Sequence, residues 1–278
     1  MSLHLSRQRQ VSRAGALIGS CALVFLFAVP LYTGLLGALA SPAGVADLRP
    51  WPTEFRWQNF LEVWKQVAFA RFMLNSLFYA SSACGLVLLV SIPAGYAVSR
   101  FRFPGRSAYL LAILATQMVT ISTIIIPLFL LVVRVGLFDR AITVIVFSAA
   151  LAAPFAIWML RNYFDTLPPD LEEAAMVDGC SRLRALLSVV LPVARPGLAV
   201  TTVLAFTMAY NQFFVPLVML STTDRYPALV GVYTLARQVM VSWEVVMAAT
   251  LLVIVPPLIL FFISQRHLVG GLTTGFDK

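Results

Sequence analysis

Lysine and histidine are almost missing from this chain of 278 residues: the lysines are Lys65 and Lys278, the histidines His4 and His267. Neither lysine ends a GxxxxGK run, so the chain has no P-loop and cannot itself be the ATPase of a transport system. The histidines lie near opposite ends and no buried carboxylate completes an acid–base set, so no catalytic residue is assigned. Cysteine is scarce too. Cys21, Cys84 and Cys180 lie in separate segments without CxxC or paired spacing, which sets aside a disulfide framework and a zinc site; no metal ligands are assigned. Charged residues make up 12% of the chain against 60% hydrophobic. With a mean hydropathy of +0.89, the chain carries more apolar surface than one soluble core of this size can bury, and it belongs in a bilayer. No Asp, Glu or Lys sits at the centre of any long apolar run, which argues against an ion-coupled carrier, because such carriers place ionisable groups at mid-membrane. The formal charge of +8 does not point to nucleic acid, since no basic patch has the context such binding needs. Arginines in loops facing anionic lipid headgroups explain it.

Six stretches are apolar over roughly the 20 residues a spanning helix needs: 14–40, 72–98, 108–133, 141–160, 198–220 and 243–264. The first is too long for a signal-peptide core, despite Ala38-Leu39-Ala40 at its end, and reads as an uncleaved helix. Arg7, Arg9 and Arg13, then Arg100, Arg102 and Arg106, then Arg161, Arg182, Arg184 and Arg195, then Arg266 fall in alternate connections. Both termini are therefore expected in the cytoplasm. The expected organisation is an all-α membrane protein: a cytoplasmic segment 1–13, a six-helix permease domain 14–264 and a cytoplasmic tail 265–278. Within it, 41–71 is an external loop whose Trp51, Phe55, Trp57, Phe60 and Trp64 suit a belt at the lipid interface, a substrate contact or a docking partner. Each span holds a proline, Pro30, Pro93, Pro127, Pro154, Pro216 or the pair Pro256-Pro257, and each frees a carbonyl that must find a partner inside the bundle. Gly15 and Gly19 form one GxxxG, which permits close helix approach.

The connection 161–197 is unlike a linker. Pro168-Pro169-Asp170 opens a short helix with Asp170 as expected N-cap and Glu172 and Glu173 in the first turn. Gly179 is placed to end it, since glycine tolerates the left-handed C-terminal cap. Leu183, Leu186, Leu187 and Val190 then recur at helical spacing opposite Arg182 and Arg184. Two short helices meeting at an acidic, small-residue corner would press into a groove on another protein.

The string Glu173-Ala174-Ala175-Met176-Val177-Asp178-Gly179, followed by Leu191-Pro192 and Pro196, closely resembles the EAA loop of ABC-importer permeases. Asn75-Ser76, Arg102-Phe103-Pro104-Gly105 and Gly270-Gly271-Leu272-Thr273-Thr274-Gly275 extend the resemblance to the carbohydrate-uptake branch, in particular its smaller, maltose-permease-like subunit. The resemblance implies the type I importer permease fold in a bacterial inner membrane. It implies that Glu173, Ala174, Ala175, Asp178, Gly179, Leu183, Leu186 and Pro192 form the ATPase-coupling surface. The implied partners are a homologous six-helix permease, two ATP-binding subunits that use ATP and Mg, and an extracytoplasmic sugar-binding protein, with no cofactor bound directly. Cys180 stands where relatives have alanine, and Leu183 and Leu186 where they have aromatics, which keeps the docking face apolar.

Polar side chains inside spans are the candidates for a substrate path. They are Gln117, Thr120 and Ser122 in the third span and Tyr210, Asn211, Gln212 and Phe213 in the fifth; interhelical hydrogen bonding is the alternative role. Amides and hydroxyls beside aromatic rings suit an uncharged sugar. A di- or oligosaccharide of maltose or trehalose type is the expected cargo, with a phosphorylated polyol such as glycerol phosphate, or an ion-coupled carrier, as alternatives.

Overall fold

The computed structural model describes residues 2–42, 44, 51, 54–66, 68–238 and 240–273, and the side chains of 2–18, 66 and 266–273 fall outside that description. His4, Arg7, Arg9, Arg13, Gly15, Arg266, His267 and the side chains of the 265–278 tail beyond Gln265 therefore lie outside the described residues. All the regular elements described are helical. They are α1 (Ser2–Leu39), α2 (Gln58–Gln66), α3 (Phe69–Arg100), α4 (Arg106–Ala115), α5 (Ile121–Arg134), α6 (Ala141–Thr166), α7 (Asp170–Val177), α8 (Arg182–Ala185), α9 (Arg195–Tyr210), α10 (Phe214–Met219), α11 (Ala228–Ala236) and α12 (Trp243–Thr273).

Four segments, Gly19–Leu39, Phe69–Arg100, Ala141–Thr166 and Trp243–Gln265, are long and apolar enough to cross a membrane unbroken, and they match the first, second, fourth and sixth expected spans. The third and fifth are not straight helices. The run 108–133 bends by 93° between Arg106–Met118 and Ile121–Arg134. Thr116, Gln117 and Thr120 cluster at that break, and short polar side chains compete with the helical ladder: Thr116 Oγ1 donates to the Ile113 carbonyl at 2.6 Å. The run 198–220 belongs to a helix that starts earlier, at Arg195-Pro196, where proline fits the first turn. This helix stops at Tyr210. Pro216 has no N–H for the Gln212 carbonyl, so no regular ladder continues through 211–216. Counted with each bent pair as one crossing, the described residues hold six spans.

The chain divides into two units, 1–67 with 234–252 and 68–233 with 253–278. In the first, Asn59 bolts α2 to the end of α1. Its Nδ2 donates to the Ala38 and Ala40 carbonyls at 2.9 and 3.0 Å, while the Arg56 N–H reaches the Leu39 carbonyl at 2.8 Å. Asn59 and Val63 are buried, and Trp57, Leu61 and Trp64, at spacings of four and three, face outward. The aromatic run is thereby fixed at the end of an apolar span. Among the described residues nothing lies within 4 Å of where a Gly19 Cβ would stand, so this half of the GxxxG pattern is open.

In the second unit α3 and α6 pack along one another and α9 packs on both. Gly95 permits the contact: a Cβ there would lie 3.1 Å from the Arg161 nitrogen and 3.2 Å from the Ile157 carbonyl oxygen. Tyr96, Leu160, Phe164, Leu186, Val190 and Ala194 form the core at the end that carries 161–197. A second core, Ile125, Val132, Val215 and Met219, joins α5 to α10. Leu74 and Leu89, 65% and 71% exposed on α3, face outward as lipid-facing side chains do.

The opposite end is closed by polar groups. Asp139, in the left-handed region at φ 57°, accepts from the Ser221 and Thr222 N–H groups at 3.0 and 3.1 Å and from the Thr222 hydroxyl at 2.6 Å. Arg225 pairs with the same carboxylate at 2.8 Å. From α3, Asn75 Nδ2 donates to the Asp224 and Tyr226 carbonyls, the Tyr79 hydroxyl donates to the Arg225 carbonyl, Ser76 Oγ accepts from the Ala228 N–H, and Arg71 pairs with Asp224. Burial pushes the Asp139 carboxyl up, but the Thr222 hydroxyl, the two N–H groups and Arg225 outweigh it and hold it at about 2, below its ordinary 3.8. A depressed folded value stabilises the protein above the unfolded value and loses that stabilisation as pH falls through the folded one. Asp139→Asn is therefore expected to lower the thermal unfolding midpoint at neutral pH, and the gap to wild type should close as pH falls from about 4 to about 2.

Candidate functional site

The corner after α6 is rigid for local reasons. Leu167, in extended conformation, ends α6, and after Pro168 and Pro169 Asp170 becomes the first helical residue of α7, with Pro169 in the N-cap position. The expected Asp170 cap is thus displaced by one residue, because proline suits a helix entrance and Asp170 joins Glu172 and Glu173 in the first turn. The helix closes as a Schellman motif: the Cys180 N–H reaches the Ala175 carbonyl at 3.0 Å and the Gly179 N–H the Met176 carbonyl at 3.1 Å. Gly179 has φ 87°, the conformation that only glycine adopts without strain. Ser181 then caps α8, its hydroxyl accepting from the Arg184 N–H at 3.4 Å. A π turn over Leu186–Val190 follows, and an 84° bend separates Arg182–Val193 from α9.

The helical phase sorts the implied coupling residues into two groups. Glu173, Ala174, Asp178, Gly179, Leu183 and Pro192 are exposed, whereas Ala175 and Leu186 are buried and shape the corner from behind. Val177, Leu183 and Leu187, 87%, 66% and 57% exposed, put apolar groups beside the carboxylates of Glu173 and Asp178. This ridge has acids, small residues and bare hydrophobes, with its turn already hydrogen-bonded within itself.

The inward-facing acid of the corner is Glu172, a buried carboxylate where the sequence had led to none being expected and had set Glu172 only in the first turn. Its side chain is 7% exposed. Oε2 accepts from the Tyr96 hydroxyl at 2.7 Å and Oε1 from Arg100 Nε at 2.5 Å, while Arg100 Nη2 donates to the Leu167 carbonyl at 3.1 Å. Beside it, Asp165 takes the Ser99 hydroxyl at 2.6 Å and Arg161 at 2.8 Å. Arg182 lies over the Phe101 ring, 5.0 Å from its centroid.

The path candidates fall on the two helix breaks. Gln117 donates to the Leu151 carbonyl at 2.9 Å, and Thr120 and Ser122 are exposed around the α4–α5 bend. Asn211 is exposed and Gln212 half-buried at the α9–α10 break; Phe213 meets Tyr233 edge to face at 5.3 Å. The α5–α10 core holds the two breaks to one framework. Tyr210 departs from this group. It is buried, stacked on Phe206 at 5.7 Å, and its hydroxyl donates to the Val253 carbonyl at 3.0 Å. Val253 is four residues before Pro257, so Tyr210 satisfies the acceptor that this proline leaves without an N–H. No group of three His, Cys, Asp or Glu side chains suited to a metal occurs among the described residues.

Residues 88–273 match the family described as binding-protein-dependent transport system inner membrane components, and the chain belongs to that family. The match spans the 161–197 corner and both helix breaks. Among relatives, the chain is 27% identical over 98% of its length to an inner membrane ABC transporter permease protein of Escherichia coli (strain K12), covering 99% of that protein. It is 30% identical over 90% of its length to a diacetylchitobiose uptake system permease protein of Streptomyces coelicolor, 91% of which is covered. In fold it is similar to a chain from the crystal structure of a bacterial ABC transporter that imports the acidic polysaccharide alginate (TM-score 0.75, 24% identity, 91% of this chain and 96% of that one). The protein is thus a multi-pass inner-membrane permease component of an ABC transporter.

Tyr210→Phe is expected to leave the Val253 carbonyl unsatisfied and to cost about 1–2 kcal/mol, read as a lower thermal unfolding midpoint in detergent or nanodiscs.

Proposed function

We propose that this chain forms one half of the pathway of an ATP-driven saccharide importer and takes force from its ATPase at the 161–197 corner. The observation that carries this reading is the exposed ridge of Glu173, Ala174, Val177, Asp178, Gly179 and Leu183 on a self-satisfied turn. Glu173 and Asp178 offer carboxylates to cations in a cleft, and Ala174 and Gly179 allow close approach. Ala175, Leu186 and the chain around Pro192 fix the ridge against the core. In this reading each bent pair crosses the membrane once, giving six spans with both termini in the cytoplasm. The partners are a homologous six-helix permease, two subunits that bind ATP and Mg, and an extracytoplasmic sugar-binding protein.

A saccharide is supported by two observations. The Streptomyces relative is the permease protein of a diacetylchitobiose uptake system. The two helix breaks also present neutral groups, Thr120 and Ser122 at one and Asn211 and Gln212 at the other, where the next residue, Phe213, meets the Tyr233 ring. Hydroxyl-rich, uncharged cargo hydrogen-bonds such amides while a ring covers its apolar face. An uptake screen of labelled di- and oligosaccharides, with glycerol phosphate as the charged comparison, identifies the cargo; uptake of glycerol phosphate alone overturns the saccharide reading.

The coupling role is tested with Gly179→Trp in the complete importer. A bulky residue at φ 87° both strains the turn and blocks close approach. Uptake per ATP hydrolysed is expected to fall at least about tenfold. Undiminished uptake per ATP sinks the role given to the corner, and uptake persisting in ATP-depleted, energised vesicles would show an ion-driven carrier instead.

A further inference from the structure

Glu173 faces outward, but its neighbour Glu172 is the only acid of α7 that is buried. Both of its oxygens are used, and both bonds go to one helix: Tyr96 and Arg100 lie four residues apart at the end of α3. A charged pair withdrawn from water to this degree, 12% and 7% exposed, resists separation far more than a surface pair does, because each partner left alone would be an uncompensated buried charge. Arg100 also holds the Leu167 carbonyl, so the strand of chain entering α7 and α7 itself are gripped by the same guanidinium.

The helix that receives these bonds continues, over 32 residues and about 48 Å, to the far end of the unit. There its first turns grip the 222–228 segment through Arg71, Asn75, Ser76 and Tyr79. That segment follows the Asn211–Phe213 break and α10 in the chain. One helix is therefore hydrogen-bonded at one end to the corner and at the other to the segment beyond the path candidates.

We propose that Glu172, acting through Tyr96 and Arg100, is a positioning residue that makes α3 a rod: displacement of α7 moves α3 and is delivered to the 222–228 segment. This rests on the reading of the corner as the ATPase dock. Glu173 and Asp178 meet the ATPase; Glu172 meets the permease's own core. Binding the motor and transmitting its stroke are in this way assigned to neighbouring acids on different faces of one short helix, about 100° apart.

The test uses the complete importer in nanodiscs, with Cys21, Cys84 and Cys180 replaced by serine and Thr223→Cys added on the exposed part of the 222–228 segment. The rate of labelling by a polar maleimide is compared without nucleotide and after trapping with Mg-ATP and vanadate. With Glu172 intact the rate is expected to change at least about threefold on trapping. In Glu172→Gln the change should disappear while the ATPase subunits still co-purify and still trap nucleotide. A tether that serves stability alone would lower the yield or melting temperature and leave this response in place. Tyr96→Phe removes one hydroxyl without leaving a charge unpaired, so it remains informative if Glu172→Gln does not fold; it should weaken the response, and combining it with Glu172→Gln should add nothing. A full labelling response in a folded Glu172→Gln or Tyr96→Phe complex overturns the proposal. Gly179→Trp separates the two readings: retained ATPase binding and coupling there would remove the dock, whereas normal loss there with a full response in Glu172→Gln removes only the rod.

Discussion

Every backbone N–H and carbonyl inside hydrocarbon has to be satisfied by the protein, and this chain meets that demand at its irregular points with single side chains. Tyr210 covers the carbonyl that Pro257 leaves open, and Asn59 takes two carbonyls at the end of α1. Ser76 receives the N–H at the start of α11, and Gln117 reaches the Leu151 carbonyl across from the α4–α5 bend. Once these positions are covered, helices can be broken at mid-sequence without exposing polar backbone to lipid. The two breaks at 119–120 and 211–213 are therefore permitted features, and it is at these breaks that neutral polar side chains become available to something other than the bundle.

The corner obeys a different constraint, since most of its residues are exposed and water can satisfy its backbone. Its order comes from local chemistry: prolines at the entrance, a left-handed glycine at the exit and a serine cap on the next helix. The phase of α7 does the rest. Residues 172 and 175 turn inward and 173, 174, 177 and 178 outward, so that two adjacent glutamates acquire unrelated surroundings.

Much of this was legible in the sequence. The four unbroken candidate spans, the short α7, its glycine terminus and the family itself follow from apolar run length, capping residues and the spaced Glu-Ala-Ala string. The bent spans were not, because hydropathy averages over the polar residues that break a helix: Thr116, Gln117 and Thr120 vanish among isoleucines and leucines. Tyr210 read as a path residue because an aromatic next to Asn211 fits a sugar, and only the register between α9 and α12 reveals that its hydroxyl answers Pro257. Glu172 was missed for want of phase. The i, i+3 spacing of Glu172 and Ala175, and the i, i+4 spacing of Tyr96 and Arg100 on another helix, are the signals that mark inward faces, but their partnership spans 72 residues of chain and needs the fold to be seen.

The self-contained turn at Gly179 has one more consequence. Because the Ala174, Ala175 and Met176 carbonyls are already taken by the Asp178, Cys180 and Gly179 N–H groups, the end of α7 offers a partner side chains more than helix-end carbonyls. Its identity is written in the outline of a few small side chains and the placement of two acids. In the role proposed for the corner, a motor would meet this outline of side chains and not the residues that line the bundle.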